Sequence, residues 1–275
     1  MHVTIKKYSG EEVIFSEDKL KSSLQKAGAN QHTIDLVSKQ ITDHLFPGIS
    51  TKQIYQKAHK LLKKISSKNA SRYKLKQAIL ELGPTGYPFE WLIGDLFKKQ
   101  GYDTEVGVVT PGHCVNHEVD VIADNGKERH MVECKFHNRL GYKSDVKIPL
   151  YIQSRFLDVK SEWTKIPAHS EKKMTGWVVT NARFTTDALD YGKCVGLKLL
   201  AWDYPINEGL KSLVELHHIQ PITTLSSLTK LDREKLLKEG IVLCSDLCDR
   251  QNEAHLILGK KANKLLEEAE YVCSV

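Results

Sequence analysis

Asn125-Gly126 stands between two runs of strand-forming residues and constrains the fold of this chain more than any other dipeptide in it. Before it lies Val119-Asp120-Val121-Ile122-Ala123-Asp124. After it comes His130-Met131-Val132-Glu133-Cys134-Lys135-Phe136. Asn-Gly is the strongest two-residue hairpin signal because both positions tolerate positive φ. With these two residues as the turn, Asp124 is predicted to face Lys127, Asp120 to face Met131, and Glu118 to face Glu133. Side chains alternate across a strand. One face then carries Val119, Val121, Ala123, Val132, Cys134 and Phe136, all suited to a core. The other carries Glu118, Asp120, Ile122, Met131, Glu133 and Lys135.

On that second face Asp120 and Glu133 are diagonal neighbours, about 7–8 Å apart by backbone geometry. Two carboxylates so placed repel unless a cation lies between them. Mg²⁺ takes hard oxygen ligands and commonly one or two carboxylates, with water and phosphate oxygens completing its shell. Lys135, beside Glu133, can orient or deprotonate a water or neutralise charge developing on phosphorus. Metal-assisted phosphodiester hydrolysis needs such a set. The alternative is a solvated polar sheet face with an incidental Glu133–Lys135 ion pair. Glu-x-Lys alone carries little information. The Asp in one apolar strand, the tight turn, and Glu-x-Lys flanked by Val132 and Phe136 carry more, and Glu118 adds a third acid.

The chain has 275 residues, enough for two domains or three small ones with real cores. No apolar run is long enough to span a bilayer, and Met1-His2-Val3-Thr4-Ile5-Lys6-Lys7 contains no signal core. We therefore expect an intracellular, cytoplasmic protein with no membrane partner. Six scattered cysteines suit free thiols. His113, Cys114 and His117 lack a second ligand pair for zinc, so they are expected in a loop near the acidic face, His117 within reach of a phosphate or metal-bound water. Net charge is +6, but residues 1–85 hold fifteen Lys/Arg against seven Asp/Glu, so a polyanion is one candidate partner and a solvated basic helix face the other.

Val3-Ile5 and Val13-Phe15 around Ser9-Gly10 predict a small hairpin. Four helices follow: one capped by Ser16, one over 31–45, one from Ser50-Thr51 and one over 68–82. Gly83-Pro84-Thr85-Gly86 reads as a linker. Beyond it come a helix from Pro88 to Gly101, a loose strand over 102–110, the hairpin, and a helix near 148–160. A strand at Trp177–Thr180, a helix at Thr185–Cys194 and a strand at Leu197–Trp202 follow, and residues 206–275 are helical again.

Val119-Asp120 with Glu133-Cys134-Lys135 resembles the signature of the PD-(D/E)XK nuclease superfamily, and the flanks resemble its Mrr-like restriction endonuclease branch. Val119 stands where the motif has Pro. The resemblance covers residues 86–205. It implies Asp120 and Glu133 as metal ligands, Lys135 as the water-positioning base, and supporting roles for Glu90 from the preceding helix and Gln153 from the following one. Residues 1–85, with Val3-Thr4-Ile5-Lys6-Lys7 and Ser16-Glu17-Asp18-Lys19, resemble an ATP-cone. That resemblance implies ATP or dATP as an allosteric ligand, with Lys6, Lys7 and Lys19 on phosphates and Val3, Ile5 and Tyr55 near base and ribose. A basic DNA-binding bundle is the alternative there. Leu228 to Leu247, turning at Gly240-Ile241-Val242, loosely resembles a helix-hairpin-helix that would grip a DNA backbone.

The expected fold class is α/β. A restriction-endonuclease-like mixed sheet flanked by helices (86–205) follows a hairpin plus four-helix domain (1–85) and precedes a small helical segment (206–275). The expected function is a Mg²⁺-dependent DNA endonuclease regulated by adenine nucleotide and acting as a homo-oligomer. The alternatives are a nucleotide-sensing DNA-binding regulator that does not cut, and a structure-specific repair or recombination nuclease.

Overall fold

The computed structural model describes residues 3–7, 10–139 and 141–273, with side chains at all of these except Ser67 and Lys68. Ser9 of the first predicted turn lies outside the described residues.

The N-terminal unit consists of β1 (Thr4–Lys6), β2 (Glu12–Ile14), α1 (Glu17–Lys26), α2 (Gln31–Thr42), β3 (Ile49–Ser50), α3 (Thr51–Ile65) and α4 (Ser67–Leu80). Ser16, Asn30 and Ser50 accept backbone N–H groups at the starts of α1, α2 and α3, satisfying donors that a helix leaves orphaned. The hairpin and four helices are as the sequence predicts. The parallel pairing of β1 with β3 is not, because two residues are too few to show a period. Helix α4 is shared: Ala70 packs within this unit, whereas Leu75 and Ile79 join the core of the next.

The central unit consists of α5 (Tyr87–Lys99), β4 (Asp103–Pro111), β5 (Asn116–Asp124), β6 (Glu128–Lys135), β7 (Lys143–Ser144), α6 (Lys147–Trp163), β8 (Lys173–Thr180), β9 (Arg183–Phe184), α7 (Thr186–Val195) and β10 (Lys198–Leu200). Five strands form a mixed sheet in the order β10-β8-β6-β5-β4. The β4-β5-β6 meander is antiparallel, and β6-β8-β10 are parallel. Phe89, Leu92, Ile93 and Leu96 of α5 pack on Val121, Ala123, Val132 and Cys134. On the other face, Phe156, Val159 and Trp163 of α6 pack on Val119, Ile122 and Met131. The sheet is therefore covered on both sides, as expected of parallel strands reached by helical crossovers.

Two details of the hairpin differ from expectation. Val121 pairs with Val132 and Asp124 with Arg129, a register two residues away from the predicted one. Asn125 N–H donates to the Glu128 carbonyl, Gly126 alone of the two takes positive φ (85°), and Gly126-Lys127 become the tip. The cause is the Asn125 side chain, whose Oδ1 accepts from the N–H groups of Lys127 (3.0 Å) and Glu128 (2.7 Å), as Asn does in turns. A one-residue slip would have exchanged the faces; a two-residue slip keeps them and brings Asp120 level with Glu133. The second difference is Val119, which joins Ile122 and Met131 and not Val121. Gly107, at φ 65°, lies in β4 where the pairing with β5 skips a position opposite Asp120. Across that break Val106 packs toward α5 and Val108 toward α6.

The C-terminal segment holds α8 (Leu210–Leu216), α9 (Lys230–Lys238), α10 (Cys244–Asp249), α11 (Gln251–Leu258) and α12 (Lys261–Cys273). Leu210 and Val214 of α8, with Val242 and Leu243, pack into the central core, whereas most other apolar residues from Ile222 to Val272 form a core of their own. The turn between α9 and α10 forms where expected, with Gly240 at φ 70°. Asp246 Oδ2 accepts the N–H groups of Val242 (3.1 Å) and Leu243 (2.8 Å), so these amides are already bonded and not free to hold a DNA phosphate. All six cysteines are free thiols. Among the described residues no helix is long and apolar enough to cross a membrane.

Candidate functional site

The acidic face lies where β5 and β6 begin to part, next to the break at Gly107. Beyond the Val121–Val132 pair, the Asp120 side chain takes over the ladder, and its Oδ2 accepts the Cys134 N–H at 2.6 Å. Glu133 is buried, 3% exposed, and both its oxygens carry cations. Lys135 Nζ reaches Oε1 at 2.5 Å and Arg155 Nη1 reaches Oε2 at 2.5 Å. Burial and the neighbouring Glu133 carboxylate push Asp120 up to about 6, against the opposing pull of the Cys134 amide, Lys135 and Arg155.

Glu90, in the first turn of α5, belongs to the same cluster. Burial, then Asp120, Glu118 and Glu133, push its carboxyl up to about 7. The helix start places it there: Gly86 caps α5 without a side chain, and a Cβ at Gly86 would approach Glu90 Oε1 to 3.3 Å. Asp120, Glu133, Lys135 and Glu90 are thus brought together. Gln153 is on α6, and its Oε1 is buried without a hydrogen-bond partner. The side chain that α6 sends to Glu133 is Arg155.

Arg155 was not singled out by sequence reasoning. Besides Glu133 it bonds the Glu118 carbonyl, and its Nε lies 3.5 Å from His117 Nδ1. Asp158, one helical turn on, holds His117 Nε2 at 2.7 Å and accepts from the Cys114 N–H at 2.8 Å. The His117 hydrogen bond, then the Cys114 and Val115 contacts, hold the Asp158 carboxyl far below its usual range. The 112–117 loop is thus folded onto α6. A Cβ at Gly112 would lie 2.6 Å from the Val115 carbonyl oxygen as well as 2.1 Å from Asp158 Oδ2, so only glycine fits without moving the backbone. The one available signal was the Arg155–Asp158 spacing of three, which puts both on one helix face but cannot say what that face meets.

The oxygens present suit Mg²⁺. Among the described residues no group of three or more His, Cys, Asp or Glu side chains forms a metal cluster, but Mg²⁺ needs only one or two carboxylates. The donors are hard, and each Glu133 oxygen has a second acceptor direction left after its ion pair. Glu90 and Asp120 are both raised toward neutrality, first by burial and then by neighbouring carboxylates.

In the N-terminal unit, Val3 and Ile5 are buried, Ile5 within the core. Lys6 and Lys19 are exposed, and Lys7 pairs with Glu11 at 2.9 Å. Tyr55 stacks on Tyr73, ring centroids 5.0 Å apart, and burial raises its hydroxyl pKa above the usual range. Tyr55 therefore packs against α4, and the basic residues of the hairpin are on the surface.

Residues 221–273, the C-terminal core of α9 to α12, match a family described as AF1548-like, C-terminal. An uncharacterized protein of Archaeoglobus fulgidus is 36% identical over 183 residues, which are 64% of this chain and 97% of that protein. The chain belongs to the AF1548-like family. A crystal structure of a protein of unknown function, AF1548, shares the fold with a TM-score of 0.58 at 33% identity, over 69% of this chain and 99% of that one. These family members account for about two thirds of the chain.

Proposed function

We propose that this AF1548-like protein is a Mg²⁺-dependent DNA endonuclease of PD-(D/E)XK type whose activity responds to an adenine nucleotide bound by the N-terminal unit. The observation that carries the reading is the meeting of Asp120, Glu133, Lys135 and Glu90 at the point where two strands part, with both acids of the motif on one face. Asp120 and Glu133 would hold the ion, which supplies Lewis acidity and a nucleophilic water at neutral pH. Lys135 positions that water and offsets charge developing on the phosphoryl group. Arg155 fixes the Glu133 carboxylate from the α6 side. Glu90, raised to about 7, is poised to hold or release a proton near the reacting water. Lys6 and Lys7 of the hairpin and Lys19 of α1 would face the nucleotide phosphates, and ATP or dATP shifts activity only by binding two states unequally.

The test is cleavage of supercoiled plasmid by the full chain, with Mg²⁺ or EDTA and with or without ATP. Asp120→Asn and Lys135→Ala are each expected to lower the rate by on the order of 10²-fold or more while DNA binding persists. Binding without cleavage in the unsubstituted protein would favour the non-cutting regulator, which the double occupancy of Glu133 by Lys135 and Arg155 also suits. Preferential cleavage of branched or flapped substrates would favour a repair nuclease.

A further inference from the structure

Where the N-terminal unit meets the central one, a cleft of about 730 Å³ opens between α1 and α4 on one side and the chain around Arg183 and residues 202–212 on the other. Its walls carry Lys19, Lys26, Lys76, Arg183 and Lys211 against only Asp18 and Asp203. Arg183 pairs with Asp203 at 2.6 Å, and Lys211 lies 3.6 Å from Glu215. Among the described residues Lys19, Lys26 and Lys76 have no ion pair. Lys76 is half-buried, with its ammonium 5.2 Å over the ring of the buried Trp202. Burial, Arg183 and Lys211 all disfavour its charge, and Asp203 only partly relieves it. Three ammonium groups without an ion pair lining one concave site, beside the paired Arg183 and Lys211, leave it short of negative charge. The cleft is also the size of a small-molecule site.

We propose that this interdomain cleft binds the polyphosphate chain of a nucleotide-sized ligand, held by Lys76, Lys211, Lys26 and Lys19 across the two units. Concavity favours a small polyphosphate over a DNA duplex, whose phosphates lie on a convex surface. A ligand touching both walls stabilises the docked arrangement by mass action. The proposal stands independently of the acidic cluster. It shares Lys19 with the nucleotide contacts proposed above but excludes Lys6 and Lys7, since neither of those two lines the cleft.

The experiment is titration calorimetry of the full chain with sodium tripolyphosphate and with ATP, in EDTA and at low salt. Circular dichroism checks the fold of each variant. Lys76→Gln and Lys211→Gln are each expected to weaken tripolyphosphate binding about tenfold or more, as loss of a charge-assisted contact does. If either variant fails to fold, Lys26→Gln, at an exposed position, is expected to show the same direction. Wild-type affinity in folded Lys76→Gln and Lys211→Gln overturns the proposal. So does a loss confined to Lys6→Ala with Lys7→Ala, which would put the phosphates on the hairpin. Binding of a short DNA duplex without any binding of tripolyphosphate also overturns it.

Discussion

Replacing Arg155 by Met would keep the aliphatic stem and remove the guanidinium from Glu133. The pair it breaks is shielded: the side chains are 12% and 4% exposed and 2.5 Å apart. Removing one partner of a buried ion pair costs about 3–5 kcal/mol, because the other charge stays buried. Lys135 still covers Oε1, so the lower end, about 3 kcal/mol, is expected. For a chain of this size that is a fall in Tm of roughly 6–12 °C, read by calorimetry in EDTA at pH 7.5 on the transition containing the central sheet. Arg155→Lys keeps the charge without the fork and should fall between the two. If Asp120 and Glu133 hold a divalent ion, Mg²⁺ supplies the missing positive charge. It should then raise the Tm of Arg155→Met by more than that of the wild type. A fall under about 2 °C would show that the pair is not structurally coupled, and an equal Mg²⁺ response in both proteins would count against metal binding at Glu133.

Glu90→Gln has the opposite sign. A carboxyl whose folded value is raised from 4.5 to about 7 subtracts stability above pH 4.5, and the full penalty is present above pH 7. The substitution should therefore be neutral near pH 4 and stabilising by up to about 3 kcal/mol at pH 8 in urea unfolding. Asp124 behaves as the reverse case. Burial would raise it, but Lys172, the Gly126 amide and Arg129 hold it at about 2, so its contribution is complete above pH 4 and lost as pH falls through 2. Asp124→Asn should cost about 2 kcal/mol at pH 7, with the difference from wild type closing between pH 4 and pH 2. Gly107→Ala should cost about 1–2 kcal/mol from its φ of 65° alone, since the nearest atom to an added Cβ, on the Tyr87 ring, is 3.9 Å away; the urea midpoint measures it.

The mixed sheet, its covering helices and the shared face of Asp120, Glu133 and Lys135 were legible in the sequence, because alternation and helical spacing are local signals; Glu90 was indicated only by the resemblance. The turn at Asn125-Gly126 was legible in place but not in register. What decides the register is whether Asn125 bends its backbone or bonds with its side chain, and composition does not distinguish these. The shift was harmless to the site because it was even. Val119 was misplaced because the strand reverses its packing across Gly107, a residue on a different strand. Arg155 went unseen for a related reason: it reaches Glu133 from twenty-two positions away, and no pattern in its own helix says which sheet residue it meets. Lys76 is similar, since its neighbours Arg183 and Lys211 come from another unit.

The electrostatics of the acidic face bear on whether it serves the fold or a ligand. A sheet selected only for stability needs no more than Glu133 with its two cations, a self-contained pair of contacts. Glu90 and Asp120 add two half-buried acids that the fold only partly compensates: burial and then Asp120, Glu118 and Glu133 push Glu90 toward protonation, and burial and then Glu133 push Asp120. Gln at 90 would preserve the helix and remove the repulsion. Local violations of this kind gather at functional sites, where the missing charge arrives with the ligand. The Glu90→Gln variant therefore separates the two roles in one protein: for a ligand site it gains stability without Mg²⁺ but loses part of its Mg²⁺-dependent stabilisation. A gain of the same size with and without the ion would mark the acids as a structural accident.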